Sequence, residues 1–250
     1  MTPTRLPTPE PSTEGTVDHR HLHDKDGSNP DNAIEHYQSQ LLTTSLRPHF
    51  DLGCSDGRFF VGEDVGIYWK LTTPVLEGFV SPDWYFVPGV PAILDGTSRR
   101  PYFLSQEEVS PVLVIEYVSG DGGEERDRTP ETGKFWVYEQ ALRVGSYVIY
   151  DSKVPLIEVY QLDRGRFSRI VANKKGRYLI PPLGIQFGLH RAIYQGVSLD
   201  WLRAWDNVTG VIFPDADERE EMYRKQADEA AQRADSIVQS LQDMGTDPDA

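Results

Sequence analysis

The sequence predicts a mixed α/β domain with a twisted central β-sheet, followed by a charged helix. Short apolar segments rich in β-branched and aromatic residues alternate with turns that contain Gly, Pro and Asp, and helical patterns lie before and among them. This order of helix, strands, helix and strands is typical of an α/β domain. From Asp215 to Met244 the chain changes to charged residues and alanine, with no Pro or Gly. That composition predicts a helical tail at residues 215–250.

The net charge is negative but unevenly distributed. The 250 residues include 39 acidic and 25 basic side chains, a formal net charge of −14. Residues 33–214 contain 22 acidic and 18 basic side chains, whereas residues 215–250 contain 11 and 4. The charge argues against tight non-specific binding of nucleic acid but does not exclude a nucleic-acid partner.

The cysteine count and the lengths of the apolar segments indicate where the protein resides in the cell. Cys54 is the only cysteine, so the sequence has neither an internal disulfide nor a cysteine metal cluster. No segment approaches the roughly 18 apolar residues of a membrane span, and the first residues lack the apolar stretch of a signal peptide. We therefore expect a cytoplasmic protein that does not associate with a membrane.

Residues 1–31 contain Pro, Thr, Asp, His and Gly but almost no large apolar side chains. Such a segment buries too little surface to offset the entropy of ordering, so we predict a disordered leader. Asp31 or Asn32 can cap the first helix. The helix is predicted to end near Leu46, on the helical spacing of Ile34, Tyr37, Leu41 and Leu42.

The rest of the domain, residues 32–214, is predicted to alternate strands and turns around a second helix. That helix is predicted at 130–143, with Pro130 at its first position and Gly145 after its end. A turn-rich connection, 88–110, is predicted before the strand at 111–118. The predicted strands are 58–61, 65–71, 83–87, 111–118, 146–150, 156–162 and 166–171.

The tail carries a heptad pattern. Small or apolar residues recur at alternating spacings of 4 and 3, at Tyr223, Ala227, Ala230, Ala234, Ile237, Leu241 and Met244. This pattern fits two structures: a coiled coil that joins two copies of the chain as a homodimer, and a single helix that lies on the domain.

Two carboxylates interrupt apolar, β-prone segments. Asp83 opens the strand at 83–87, and Glu116 lies inside the strand at 111–118. A charge in such a place costs several kcal/mol to bury unless it is paired. If the strands are neighbours, a hard divalent cation would allow both acids to stay charged. Ligation by oxygen alone favours Mg²⁺ or Mn²⁺ over zinc.

The second predicted helix must pack over the sheet and so can bring further groups to these acids. Lys134 lies on that helix, and its ammonium is suited to neutralising charge on a phosphate or positioning a water. Tyr138 lies one turn later on the same face. The alternatives are a surface lysine and a tyrosine that packs in the core.

These segments together resemble the Uma-type restriction endonuclease family of the PD-(D/E)XK nuclease superfamily. The resemblance covers residues 33–210 and rests on four segments in order: Pro82 to Gly89, Pro111 to Ser119, Lys134 to Tyr138, and Gly145 to Asp151. It implies a PD-(D/E)XK nuclease-like core with a central mixed β-sheet flanked by helices. The charged helix also looks like a tail that many family members carry.

The resemblance implies a metal-dependent endonuclease that cleaves DNA to a 5′-phosphate and a 3′-hydroxyl. Asp83 and Glu116 match the metal-binding acids. The superfamily places a lysine two residues after the glutamate, where this chain has Val118, and the family's lysine on the following helix points to Lys134. Glu35 on the first helix is a possible further ligand or water contact.

Other functions fit the same residues. Asp127, seven residues before Lys134, can orient that lysine or cap its helix. The basic stretch from Arg164 to Arg177 can contact phosphates or form a solvated hairpin. An inactive nuclease-fold module for binding and assembly, and a hydrolase of small phosphoesters, remain alternatives to the DNA endonuclease. The sequence contains no recognition element for a particular DNA site.

Overall fold

The structure, a computed structural model, describes residues 33–70, 78–94, 96–243 and 245. The predicted disordered leader lies outside these residues, as does Met244 of the heptad pattern. None of the described helices is both long enough and apolar enough to cross a membrane.

The described chain alternates short helices and strands between two long helices. The helices are α1 (Ala33–Gly53), α2 (Leu104–Glu107), α3 (Lys134–Trp136) and α4 (Ala216–Asp243). α3 continues directly into a π-helical segment, Val137–Ala141. The strands are β1 (Phe59–Glu63), β2 (Ile67–Tyr68), β3 (Phe79–Val80), β4 (Trp84–Pro88), β5 (Ile93–Leu94), β6 (Thr97–Ser98), β7 (Tyr102–Phe103), β8 (Leu113–Tyr117), β9 (Ser146–Asp151), β10 (Leu156–Asp163), β11 (Arg166–Arg169), β12 (Tyr178–Ile180), β13 (Ile185–Tyr194) and β14 (Val197–Asp206).

A six-stranded mixed sheet forms the centre of the domain, in the order β1-β4-β8-β9-β10-β11. Strands β8 and β9 are parallel, and the other neighbours are antiparallel. Parallel neighbours need a crossover connection, and α3 with its π-helical extension lies in that connection. The predicted α/β fold with a central mixed sheet is therefore confirmed.

Alternate side chains of the central sheet enter two separate cores, because successive strand residues point to opposite faces. Trp84 and Phe86 pack with the apolar side of α1 on one face. Tyr85 and Val87 pack on the other face with Phe135 and other residues of the α3 segment. The sheet is therefore covered by α1 on one side and by the crossover helix on the other.

A second, three-stranded antiparallel sheet, β12-β13-β14, completes the α1 side of the core. The amide of Gln38 on α1 joins it by donating to the Leu202 carbonyl at 2.9 Å and accepting the Leu202 N–H at 3.0 Å. The sequence did not predict these three strands. In β13, His190, Arg191 and Ile193 are exposed, and Gln186, His190 and Arg191 interrupt the apolar pattern.

The predicted boundaries of both helices are wrong, and the strand predicted at 65–71 is confined to Ile67–Tyr68 within the described residues. Helix α1 continues through Pro48 to Gly53, because Phe50 adds an apolar contact that keeps the last turns on the core. The second helix begins at Lys134 instead of residue 130, because the Asp127 carbonyl accepts the N–H groups of Phe135 and Trp136 and turns the chain there. The remainder of the predicted helix is the π-helical segment.

The basic stretch is divided between two turns. Arg164 and Gly165 form the tight β10–β11 turn of the central sheet. Lys174 and Lys175 lie in the next turn, before β12 of the second sheet, and Arg177 stacks on Trp205 with its guanidinium carbon 4.0 Å from the ring centroid.

Helix α4 contacts the domain through its first turn. Asp215 and Glu218 cap each other's backbone N–H groups at 2.9 Å, and Glu218 pairs with Arg203 at 2.6 Å. All side chains from residue 220 to residue 240 are exposed. The predicted alternative of a helix lying along the domain is therefore wrong, since such a helix would bury one face.

Candidate active site

Asp83, directly before β4, lies opposite Glu116 of the neighbouring strand β8. Strands β4 and β8 pair with Trp84 opposite Ile115, and the same antiparallel register places Asp83 opposite Glu116. Residues opposite each other on one face have Cβ atoms roughly 4.5–5.5 Å apart. The Tyr117 N–H donates to Oδ2 of Asp83 at 2.5 Å, which fixes that carboxylate at the sheet.

The Glu116 carboxylate is fully buried and held by two donors. Lys134 donates from Nζ to Oε2 at 3.0 Å, and the Tyr138 hydroxyl donates to Oε1. The relative accessibility of the Glu116 side chain is 0%, while that of Lys134 is 20%. The lysine therefore links a buried acid to solvent. The structure brings together four of the residues that the sequence predicted.

Burial raises the pKa of both acids. Burial raises the pKa of Asp83 well above its usual value, Glu116 adds to this, and the Tyr117 N–H and Lys134 oppose it. Burial also raises the pKa of Glu116 despite the lowering effects of Lys134 and Tyr138. Burial would lower the pKa of Lys134, but the attraction of Glu116 and its neighbours raises it overall. The lysine is therefore charged and the two acids share one positive neighbour.

The loop before α3 sets the position of Lys134. The Asp127 carboxylate accepts the backbone N–H and hydroxyl of Thr129 at 2.8 and 2.6 Å, while its carbonyl accepts the Phe135 N–H at 3.0 Å. Of the two predicted roles for Asp127, the structure supports capping and turn formation. Gly133 lies inside this turn, where an added Cβ would be 2.4 Å from the Asp127 carbonyl oxygen.

Glu35 lies on the first turn of α1, on the Asp83 side of the site. Its charge contributes to the raised pKa of Asp83, which places the Glu35 carboxylate within electrostatic range of Asp83. Ser39, also on α1, bonds at the site: its hydroxyl lies 3.0 Å from that of Tyr117 and 3.4 Å from the Asp83 carbonyl oxygen.

Two acids of the 121–127 loop also belong to the site, although the sequence analysis assigned them no role. Glu124 pairs with Lys134 at 3.2 Å and is 65% exposed. Glu125 is buried, and its Oε1 accepts the N–H and hydroxyl of Ser119 at 3.0 and 3.2 Å. The unusual acidity of this loop was the available signal. It could not indicate which of the acids turns inward.

The donor set fits Mg²⁺ or Mn²⁺. Asp83 and Glu116 provide carboxylate oxygens, and no group of three or more His, Cys, Asp or Glu side chains within the described ranges is arranged to hold a metal ion. Mg²⁺ commonly binds through one or two carboxylates and completes its shell with water and substrate phosphate. Two buried acids that share one lysine also leave a negative charge for a cation to neutralise.

Comparison with known proteins identifies one family. The family model Uma2, described as a putative restriction endonuclease, matches residues 28–194. A solved structure described as a putative nuclease belonging to DUF820, from Anabaena variabilis ATCC 29413, is 12% identical to this chain. The match has a TM-score of 0.40 and covers 62% of this chain and 75% of the solved chain. No curated protein matches the chain.

Proposed function

The chain belongs to the Uma2 family of restriction-endonuclease-like proteins, and on that premise we propose that it is a divalent-metal-dependent endonuclease that hydrolyses phosphodiester bonds in DNA. The observation that carries the proposal is the convergence of Asp83, Glu116 and Lys134 from two neighbouring strands and the helix that follows them. Two acids and a lysine are suited to phosphoryl chemistry, in which catalysis depends on positioning and charge stabilisation.

Asp83 and Glu116 would hold Mg²⁺ or Mn²⁺. The ion would supply an acidic water at neutral pH and neutralise charge on the phosphate. Support comes from the oxygen-only donor set and from the raised pKa of both acids. Glu35 is a possible additional ligand or water contact.

The protein's own groups would orient the acids and stabilise the substrate. Tyr138 holds Oε1 of Glu116, and the Tyr117 N–H holds Oδ2 of Asp83. The Lys134 ammonium would donate to a phosphate oxygen and so stabilise the transition state. A water oxygen would bond to phosphorus as the bond to the 3′-oxygen breaks and that oxygen takes a proton. The products would be a 5′-phosphate and a 3′-hydroxyl.

Nicking of supercoiled plasmid tests the proposal. We expect cleavage with Mg²⁺ or Mn²⁺, none with EDTA, and a loss of at least about 100-fold in Asp83→Ala and Lys134→Ala, the range for removal of a group that stabilises transition-state charge. Asp51→Asn, an exposed acid on α1, is the control and should cleave normally. Cleavage that survives in both site variants would refute the assignment, and preference for nucleotides over plasmid would indicate a small-phosphoester hydrolase.

A second candidate function, an inactive nuclease-fold module for binding nucleic acid or protein, is favoured by the exposed α4. We propose a leader at 1–31, a nuclease-like domain at 32–214 and a coiled-coil tail at 215–250 that forms a homodimer. Sedimentation should then show a dimer that Ala234→Glu or Ile237→Glu converts to a monomer. If the protein is an assembly module, these substitutions in α4 should abolish its binding of nucleic acid or protein, whereas Asp83→Ala should leave that binding intact.

The proposed site of action is the reducing cytoplasm. A DNA substrate and the single cysteine, Cys54, support it.

A further inference from the structure

Exposed arginines extend from the start of α3 to the β10–β11 turn, on the sheet face that carries the candidate active site. They are Arg128, Arg143, Arg164, Arg166 and Arg169, and we call them the arginine arc. We propose that the arginine arc binds the DNA phosphate backbone and guides it to Asp83, Glu116 and Lys134. The proposal rests on the proposed function and adds to it the surface that holds the substrate.

The near end of the arc adjoins the catalytic lysine through a stack of aromatic rings. The guanidinium carbon of Arg128 lies 3.6 Å from the ring centroid of Phe135, the residue after Lys134. Phe135 in turn packs edge-on against Phe167 of β11, with ring centroids 5.4 Å apart. Phe167 is flanked in sequence by Arg166. The rings therefore form a continuous support from the active site to the edge strand.

The far end of the arc is joined to the same helix. Gln140 donates to the Gly165 carbonyl at 3.3 Å, so the π-helical segment contacts the β10–β11 turn. A Cβ added to Gly165 would lie 3.8 Å from both terminal nitrogens of Arg143, which places that guanidinium over the turn. Arg164 is the other central residue of this turn. The two arginines are therefore neighbours although 21 positions separate them.

The two acids that pair with the arc are covered, whereas its arginines face solvent. Glu139 pairs with Arg166 at 3.3 Å, with the acid 5% and the arginine 77% exposed. Glu158 pairs with Arg169 at 3.7 Å, with exposures of 9% and 57%. Asp163, opposite Arg166 in the β10–β11 hairpin, is exposed, but the exposed arginines at this end of the arc outnumber it, so the surface presented to a ligand is positive. A protein of net charge −14 needs such a local positive surface to bind DNA.

Backbone conformation adds an independent observation. Arg143 and Arg164 both have left-handed backbones, with φ of 52° and 48°. This conformation favours Gly or Asn and is unfavourable for a long side chain. The β10–β11 turn thus carries an arginine where Asn would suit its backbone better. Strained positions concentrate at functional sites, so these two arginines are candidates for a ligand contact.

The length of the arc suits a nucleic-acid strand. Lys134 and Arg143 lie nine positions apart across α3 and its π-helical extension, a separation on the order of 10 Å at a rise of about 1.5 Å per residue. Each DNA strand advances about 3.4 Å along the axis per phosphate, so this separation corresponds to roughly three nucleotides. Arginine is suited to this contact because its planar guanidinium binds phosphate through two hydrogen bonds.

The test measures binding of a fluorescent DNA duplex by anisotropy in EDTA over a range of salt, together with plasmid cleavage in Mn²⁺. The variant Arg143→Gln/Arg164→Gln/Arg169→Gln should bind at least about tenfold more weakly in low salt. A plot of the logarithm of its binding constant against the logarithm of salt concentration should be shallower by as much as about 2.7, since each lost phosphate contact removes about 0.9 from the magnitude of the slope. The corresponding Arg→Lys triple variant should keep most of the slope.

The matched control removes three positive charges from α4, in Arg224→Gln/Lys225→Gln/Arg233→Gln, and should bind like the wild type. If the arc variant and the wild type have the same affinity and salt dependence, the proposed role of the arc is refuted. An equal loss of DNA affinity in the α4 control would also refute it. Wild-type protein that binds no DNA would also overturn it. Binding that depends on the arc, without cleavage by any form of the protein, would support the arc and refute the endonuclease. Circular dichroism confirms that each variant is folded.

Discussion

Lys134 donates to the buried Oε2 of Glu116 at 3.0 Å although the two residues lie 18 positions apart and on different elements. The same ammonium pairs with Glu124 at 3.2 Å and lowers the pKa of Asp83. One cation therefore serves three carboxylates. This relationship connects the stability of the site to its proposed chemistry.

The Lys134–Glu116 pair should show strong coupling in a double-mutant cycle. Lys134→Met alone leaves a buried acid without its cation, and we expect a loss of about 2 kcal/mol in the free energy of unfolding. Fully buried pairs lose roughly 3–5 kcal/mol, and partial exposure of the lysine reduces the effect. Adding Glu116→Gln should recover at least about 1 kcal/mol, because the neutral amide needs no cation and still accepts from Tyr138. Urea unfolding measures all four proteins, and additive losses would contradict the pair.

Asp83→Asn should stabilise the metal-free protein at neutral pH. The amide oxygen can still accept the Tyr117 N–H, while repulsion from Glu116 disappears. That repulsion is at most roughly 3 kcal/mol for charges about 5 Å apart at an effective dielectric of 20. Folding raises the pKa of Asp83. The protein therefore loses stability as the pH increases above the pKa of Asp83 in the unfolded chain, about 3.9. The advantage of the variant should therefore be absent near pH 4 and present at pH 8.

Thermal unfolding in EDTA at the two pH values measures this difference, with Asp51→Asn as the control for loss of an exposed acid. Mn²⁺ should raise the melting temperature of the wild type, because a ligand that binds only the folded state stabilises it, and should raise that of Asp83→Asn less. An Asp83→Asn protein that is less stable than the wild type at pH 8 would contradict the repulsion.

Glu124→Gln should increase affinity for DNA. Glu124 occupies one side of the Lys134 ammonium, so a phosphate must compete with it. The acid is 65% exposed, and exposed pairs contribute about 0.2–1 kcal/mol, which corresponds to a gain of up to about fivefold. Anisotropy in EDTA measures the affinity. Asp121→Asn removes a charge from the same loop but keeps the acceptor for the Gly123 N–H, so an equal gain there would show a general charge effect.

Gly133→Ala should displace Lys134 without unfolding the domain. The new Cβ would lie 2.4 Å from the Asp127 carbonyl oxygen, which accepts the first N–H groups of α3. The turn must shift, and misplacement by about 1 Å can reduce catalysis by about 100-fold. Single-turnover cleavage and DNA binding in EDTA separate rate from affinity, and we expect mainly the rate to fall. Gly53→Ala, where a Cβ meets no atom within 4 Å, is the control. A normal cleavage rate would show that the turn tolerates the shift.

The sequence predicted the elements whose signal is local. Strands β4, β8, β9 and β10 lie close to their predicted ranges, because β-branched and aromatic residues bounded by turns are a local pattern. Asp83 and Glu116 stood out because a charge inside such a pattern is costly. Helix α4 was visible from its composition alone.

The tertiary structure decided what depends on contacts between distant residues. The start of α3 at Lys134 depends on the Asp127 carbonyl, and the inward turn of Glu125 depends on Ser119. Strands β13 and β14 form because they cover α1, although polar residues interrupt the apolar pattern of β13. The sequence by itself thus determined the fold class and singled out Asp83, Glu116 and Lys134 as residues that could meet. Only the folded chain decided how one lysine is shared among three acids, because that depends on burial and distance.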